Sequence, residues 1–232
     1  MKPYLLIAFF LPCLSCHPQP AVLEKEPAGF EQDMRQKEVQ LLDVRTAAEF
    51  ASGHIAGALQ ANWNDREEFA GRVQYLDKNK PVYIYCLVGG RSAAAAAWMK
   101  EKGFTNIVEL KGGINAWKAA GKQLEGKKDI PQLTMQEYEA QLSSAPLILV
   151  NFGAAWCPPC VKMEPVLAAL EKENKQAFSL LRIDGGIHTT LMQQLQVSTL
   201  PTFIIYKNGK ETGRKEGVVT KEDLLFLLNR AK

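Results

Sequence analysis

Two cysteine settings could do chemistry. Residues 85–92 read YCLVGGRS, in which Cys86 closes the apolar run VYIYC and is followed by two glycines, an arginine, a serine and an alanine-rich stretch. Further along, AAWCPPC sets Cys157 and Cys160 at the spacing of a dithiol. A thiol alone at a strand end can be an inert core residue or a nucleophile. Gly89 and Gly90 favour the second, because they let consecutive N–H groups curl inward while the following helix aims its positive end at the same point. Such a nest stabilises a thiolate and lowers the thiol pKa. Arg91 adds positive charge at the rim, and packing alone would need neither the glycines nor the arginine.

In the second setting, Cys157 opens a helix, where the dipole favours thiolate, and Cys160 follows one turn on, within reach for a disulfide. Metal knuckles share the CxxC spacing. A structural zinc asks for four Cys or His ligands at paired spacing, and here there is one CxxC and three scattered histidines, His17, His54 and His188. No metal and no other cofactor is expected.

Around Cys86, the runs VQLLDV, GALQAN, PVYIYC and NIVEL read as strands, and FEQDMRQ, DREEFAGRVQYL, RSAAAAAWMKEKG and GINAWKAAG as helices. That alternation predicts a mostly parallel sheet covered by helices on both faces. GKQLEGKKDIPQ (121–132) has little apolar content and reads as a joint. Beyond it come helix LTMQEYEAQL, strand LILVNF, helix PPCVKMEPVLAALEKEN, strand FSLLRID, a short helix and PTFIIYKNG. Asn208-Gly209 marks a hairpin, so this second sheet should be mixed. The fold class is α/β in two domains.

The 232 residues, 47% hydrophobic and 23% charged with net charge +3, suit a globular chain of two domains and carry no basic block that would select nucleic acid. Five cysteines are too few for a disulfide scaffold at this length. At the N-terminus, one lysine precedes an 11-residue apolar stretch, Tyr4–Leu14. That is short of the roughly 20 residues that span a bilayer and matches the core of a signal peptide. The small residue Ser15, Cys16 and a proline-rich polar segment follow. The arrangement resembles a bacterial lipoprotein signal, which implies lipidation of Cys16 and a lipid anchor on the periplasmic side of the cell envelope. Cys13 stands where such signals usually carry leucine, and cleavage without lipidation is the rival reading. The division expected is signal peptide 1–15, tether 16–29, first domain 30–122 and second domain 123–232.

LLDVRTAAEF, GHIAGAL, CLVGGRS and LKGGINAW, in that order over about residues 30–120, resemble the rhodanese family of sulfurtransferases. The resemblance implies that Cys86 takes the outer sulfur of a sulfane-sulfur donor as a persulfide and passes it to an acceptor. Four residues separate Cys86 from Arg91. The related phosphatases have a longer, wider loop, so phosphate chemistry is not expected. Asp43, Arg45, Glu49 and His54 match the family pattern as scaffold and loop support, with Arg45 also a candidate for the pocket. Leu87 and Val88 leave Arg91 as the only cation in the loop. A protein or small-molecule persulfide therefore suits it better than doubly charged thiosulfate.

LILVNFGAAWCPPC, RID at 182–184, STLPTF and YKNGK resemble the thioredoxin family over about residues 125–232. The resemblance implies Cys157 as attacking thiol, Cys160 as resolving thiol, Trp156 flanking them, and Pro201 as a cis proline that helps bind extended substrate backbone. Asn151 and Leu180 stand where typical members carry a buried acid and a lysine. An amide neither ionises nor acts as a base near neutral pH. Slower resolution of mixed disulfides is expected, unless water serves as base.

The reading is an exported thiol–disulfide oxidoreductase coupled to a sulfurtransferase, in which the dithiol reduces the Cys86 persulfide or the disulfides of client proteins. In an oxidising compartment the dithiol would need an electron donor, expected to be a membrane protein. Two other classes stand beside it: a reductase whose first domain is a non-catalytic client-binding module, and a chaperone-like envelope protein with incidental thiols.

Overall fold

A computed structural model describes residues 22–36, 38–126, 131–174 and 177–231. The signal peptide, Cys13 and the Cys16 lipidation position lie outside the described residues. No helix among the described residues is long and apolar enough to cross a membrane.

In chain order the first half runs β1 (Leu23–Lys25), α1 (Pro27–Gln36), β2 (Gln40–Asp43), α2 (Ala47–Ala51) and β3 (Leu59–Gln60), then α3 (Arg66–Val73), β4 (Val82–Tyr85), α4 (Gly90–Glu101), β5 (Ile107–Leu110) and α5 (Gly113–Ala119). The five strands form one sheet in the order β1-β5-β4-β2-β3, every pair parallel. The unbroken apolar run Val-Tyr-Ile-Tyr of β4 follows from that, because a parallel strand is covered on both faces. One face carries Leu42, Val82 and Ile84 under Phe69 and Val73 of α3 and Ala95, Ala96 and Met99 of α4. The other carries Leu41, Tyr83, Tyr85 and Val108 under Phe30 of α1 and Ile114 and Trp117 of α5. Each Val, Leu, Ile, Met or Phe among these contributes about 1.5–3 kcal/mol on burial.

Two boundaries differ from the sequence expectation. The stretch read as tether contains β1 and the start of α1, and Leu23–Lys25 pairs with Val108–Leu110 as an edge strand. Leu-Glu-Lys has no apolar alternation, so only its neighbour defines it as a strand. At the other end, Glu125 exchanges two backbone hydrogen bonds with His54, and Trp117 Nε1 donates to Gln123 O. Residues 123–126 therefore belong to the first domain. Helix α2 was also not anticipated. Its capping box, Thr46 with Glu49, opens a five-residue helix too short to show a period.

The second half runs α6 (Met135–Leu142), β6 (Leu147–Gly153), α7 (Pro158–Glu173), β7 (Ser179–Asp184), α8 (Thr189–Gln194), β8 (Thr202–Lys207), β9 (Lys210–Glu216) and α9 (Lys221–Arg230). The sheet order is β7-β6-β8-β9, with β6–β7 parallel and the other two pairs antiparallel. Asn208 (φ 50) and Gly209 (φ 75) make the β8–β9 turn with both central residues at positive φ, the geometry that matches strand twist in a tight hairpin. Leu147 and Leu149 face α7 and α9 through Met163, Leu167, Leu224 and Leu228, while Ile148 and Val150 face α6 and α8.

Candidate active site

Cys86 lies at the carboxyl end of β4, where the chain turns into α4. It is 1% exposed and is the only free cysteine among the described residues. Gly89, at φ 121, is a backbone conformation that glycine adopts readily, and it aims its N–H at Cys86 Sγ, 3.1 Å away. Ser92 Oγ lies 3.3 Å from the same sulfur. Burial pushes the thiol pKa up. The Ser92 hydroxyl and the N–H groups of Ser92, Gly89 and Val88 pull it down and outweigh burial, leaving it below the ordinary thiol value. Gly90 opens α4. Gly113 fits tightly beneath the loop: a Cβ there would stand 2.7 Å from the Cys86 and Leu87 carbonyl oxygens.

Arg91 faces Cys86 but is already paired. Its guanidinium donates to both Glu49 carboxylate oxygens, at 2.7 and 2.8 Å. Arg91 holds the Glu49 carboxyl down at about 2, against the opposing effect of burial and with help from Thr46. The rim cation expected from the sequence is thus largely neutralised. Arg45 is 2% exposed, salt-bridged to Asp43 at 2.6 Å and donating to Gly53 O at 2.8 Å. Its guanidinium braces the strand ends as scaffold, with the Asp43 carboxylate and the Gly53 carbonyl as its partners. His54 stacks on Phe50 with centroids 3.7 Å apart and supports α2.

Cys157 caps the N-terminus of α7, with Pro158 at the first helical position, where its missing N–H costs nothing. Cys157 and Cys160 are joined in a disulfide. They are 0% and 5% exposed, packed with Ala154, Trp156 and Leu200. The Leu200–Pro201 peptide bond is cis, and Leu200 O lies 3.7 Å from Cys157 Sγ. Asn151 is buried in β6 on the face toward the disulfide: a Cβ on Gly153 would lie 3.3 Å from Asn151 Nδ2 and 3.7 Å from Cys160 Cβ. Asn151 Oδ1 has no protein partner.

Trp156 joins the two sites. Its carbonyl accepts from the backbone N–H of Gln60, on edge strand β3, at 2.7 Å. The Arg72 guanidinium sits 5.3 Å over its ring, and Phe50 packs against it at 5.7 Å between centroids. Only glycine fits at 186, where a Cβ would meet Trp156 Nε1 at 2.6 Å. Phe50 shares the five residues of α2 with Glu49, so one short helix touches Trp156 on one side and holds Arg91 on the other. A cleft of about 1920 Å³ opens between the domains, lined among others by Phe50, Arg72, Trp156, Gly186 and Leu200.

Comparison with known proteins matches the rhodanese-like domain to residues 26–120 and thioredoxin to residues 129–230. A thioredoxin of Chlamydia trachomatis serovar D is 35% identical over 99 residues, 43% of this chain and 96% of that protein. The chain belongs to the thioredoxin family. Its thioredoxin domain, with the CPPC disulfide, is that of a thiol–disulfide oxidoreductase, and a rhodanese-like domain precedes it. Thioredoxin X of Arabidopsis thaliana chloroplasts is 30% identical over 122 residues, covering 51% of this chain and 67% of that protein. Among solved structures, a rhodanese-related protein of Thermoplasma volcanium is similar at 27% identity, with a TM-score of 0.41 over 45% of this chain and 99% of its own. Plasmodium falciparum thioredoxin is similar at 23% identity, with a TM-score of 0.39 over 44% of this chain and all of its own, 100%.

The residues sequence reasoning missed are Gln60, Arg72, Phe50, Gly186, Ser92 as a partner of the thiol, and Glu109. Only Glu109 carries a local signal, an acid inside the apolar strand Ile-Val-Glu-Leu.

Proposed function

We propose that the protein is an exported, lipid-anchored thiol–disulfide oxidoreductase in which a rhodanese-type sulfurtransferase site feeds the thioredoxin dithiol. The observation that carries this reading is the seat of Trp156, the residue beside the attacking cysteine. It rests on Gln60 of β3, Arg72 of α3 and Phe50 of α2, the last on the helix whose Glu49 positions Arg91 at Cys86.

The Cys86 thiolate attacks the outer sulfur of a persulfide donor R–S–SH. The donor S–S bond breaks, RS⁻ leaves and takes up a proton, and Cys86 becomes Cys86–S–SH. Cys157 thiolate then attacks that persulfide, either releasing hydrosulfide directly or first taking the outer sulfur onto itself. Cys160 closes the Cys157–Cys160 disulfide. Two electrons pass from the dithiol to the sulfane sulfur, which leaves as hydrogen sulfide, and Cys86 returns to the thiol. The dithiol then needs a two-electron donor, which in an oxidising envelope is a membrane protein. Disulfide-bearing client proteins are the other substrates of the same dithiol.

Paired Arg91 and the apolar tip, with Val88 61% exposed, favour a persulfide over doubly charged thiosulfate. The test is intact mass of the reduced, signal-free protein after exposure to a small organic persulfide, with and without Cys86→Ala. A gain of one sulfur that needs Cys86 and disappears as Cys157 and Cys160 oxidise supports the relay. No gain on Cys86, beside normal disulfide reduction, leaves a reductase carrying a docking domain. Membrane retention lost in Cys16→Ser tests the anchor.

A further inference from the structure

Behind the Cys86 loop lies a carboxyl group that the sulfur chemistry above does not use. Glu109, in the middle of β5, is 3% exposed. It shares a sheet face with Ile107 and pairs in register with Ile84 of β4 and Glu24 of β1. Its Oε1 lies 2.5 Å from Ser92 Oγ, the hydroxyl that also lies 3.3 Å from Cys86 Sγ. A Cβ on Gly89 would meet the same Oε1 at 3.7 Å, so the carboxyl sits directly under the thiol loop.

Ser92 Oγ has one proton and three acceptors around it: Glu109 Oε1, Cys86 Sγ and, at 2.9 Å, Gly89 O. An ionised Glu109 accepts a hydrogen bond from that hydroxyl, and its negative charge stands close to the position where a thiolate would form. A protonated Glu109 instead donates its own proton to Ser92 Oγ, which frees the serine hydroxyl to donate to the Cys86 thiolate. We infer that Glu109 is a positioning residue whose protonation state decides, through Ser92, whether the cradle favours the thiol or the thiolate of Cys86. The inference deepens the sulfurtransferase reading and concerns the same site.

The neighbouring charges make the arrangement responsive. Burial opposes ionisation of Glu109 and Glu24, facing it from β1, adds to that, while the Ser92 hydroxyl pulls the other way without cancelling them, so the carboxyl titrates above the ordinary range. From α4 the facing group is Ser92. The nearest cation at Cys86, Arg91, is held by Glu49 of α2. Cys86 and Glu109 are therefore two acids joined by one hydroxyl. Removing a proton from either makes the other harder to ionise, and the pair should titrate in two linked steps.

The test needs no sulfur donor, so it can fail independently of the sulfurtransferase reading. In the full chain, with Cys157–Cys160 kept as the disulfide, the rate of iodoacetamide alkylation at Cys86 is followed by peptide mass from pH 5 to 10. The native protein should give a shallow rise broader than a single-proton titration. Glu109→Gln, which cannot ionise, should give a single sharp titration with its midpoint about one pH unit lower, and about tenfold faster alkylation at pH 7. In a Ser92→Ala background the same substitution should change the rate by less than about threefold, because only the through-space charge then remains. An unchanged or raised midpoint in Glu109→Gln overturns the inference, as does an equal shift with and without the serine. Circular dichroism of each variant separates these outcomes from misfolding.

Discussion

The two sulfur sites are both buried in the protein interior but are held there in different ways. Cys86 is held at the carboxyl end of a central parallel strand by N–H groups and one hydroxyl, with its nearest cation already paired. Cys157 and Cys160 need no such cradle in the oxidised state, since the disulfide carries no charge. Beneath them lies Asn151, an amide with an unsatisfied oxygen, where a titrating group would normally be sought. The first site keeps a titratable network and has one sulfur. The second has two sulfurs and, among the described residues, no buried acid packed against them. A site that must stabilise a charge invests in donors, whereas a site that closes on its own partner can do without them.

The largest expected effect separates the two sites outright. Cys157→Ala should lower disulfide reduction by at least about a thousandfold, and sulfur loaded on Cys86 should stay there, both readable by insulin reduction and intact mass. If discharge of Cys86 persists at the native rate, the relay between the sites is broken as an idea.

Asn151→Asp gives the second site the acid it lacks. A carboxyl buried there should titrate above the ordinary aspartate range. Its folded pKa exceeds its unfolded one, so the variant should match the native stability below about pH 4. It should lose about 2–3 kcal/mol as pH rises through the folded pKa. Over that range the resolution of mixed disulfides by Cys160 should quicken. Urea melts at pH 4 and 8 with stopped-flow resolution rates check both, and equal rates would show that water already serves as base.

Arg72→Ala removes the cation over Trp156. Such contacts are worth about 0.5–2 kcal/mol, so reduction of the covered disulfide by a phosphine should accelerate about three- to tenfold. No acceleration would mean that the interface does not limit access.

The smallest effect lies at the Glu49–Arg91 pair. Because Glu49 titrates at about 2 in the folded chain, its contribution is fully present above the unfolded carboxyl pKa and is lost as pH falls toward 2. The side chains are 31% and 23% exposed, so screening keeps it to about 1 kcal/mol or less. Native protein and Glu49→Gln should differ by that amount at pH 7 and converge near pH 2 in denaturant melts.

The motifs and most elements were legible because they are local. A strand-end cysteine followed by two glycines, a CxxC opening a helix and Asn208-Gly209 between apolar runs each state their backbone geometry within a few residues. β1 and α2 were not legible, since Leu23–Lys25 becomes a strand only by pairing with β5, and five residues of α2 show no period. Arg45 was legible as a scaffold residue, but only the fold reveals that Asp43 and the Gly53 carbonyl occupy its guanidinium.

The chain by itself determined two α/β domains, one carrying thiol and one dithiol, because strand–helix alternation and the chemistry of short loops are written in consecutive residues. Only the tertiary structure decided that Trp156 rests on Gln60, Arg72 and Phe50, and that Glu109 lies beneath Cys86 with Ser92 between them. Those contacts join residues far apart in sequence, and the packing of sheet against helix and domain against domain creates neighbours that no local spacing encodes.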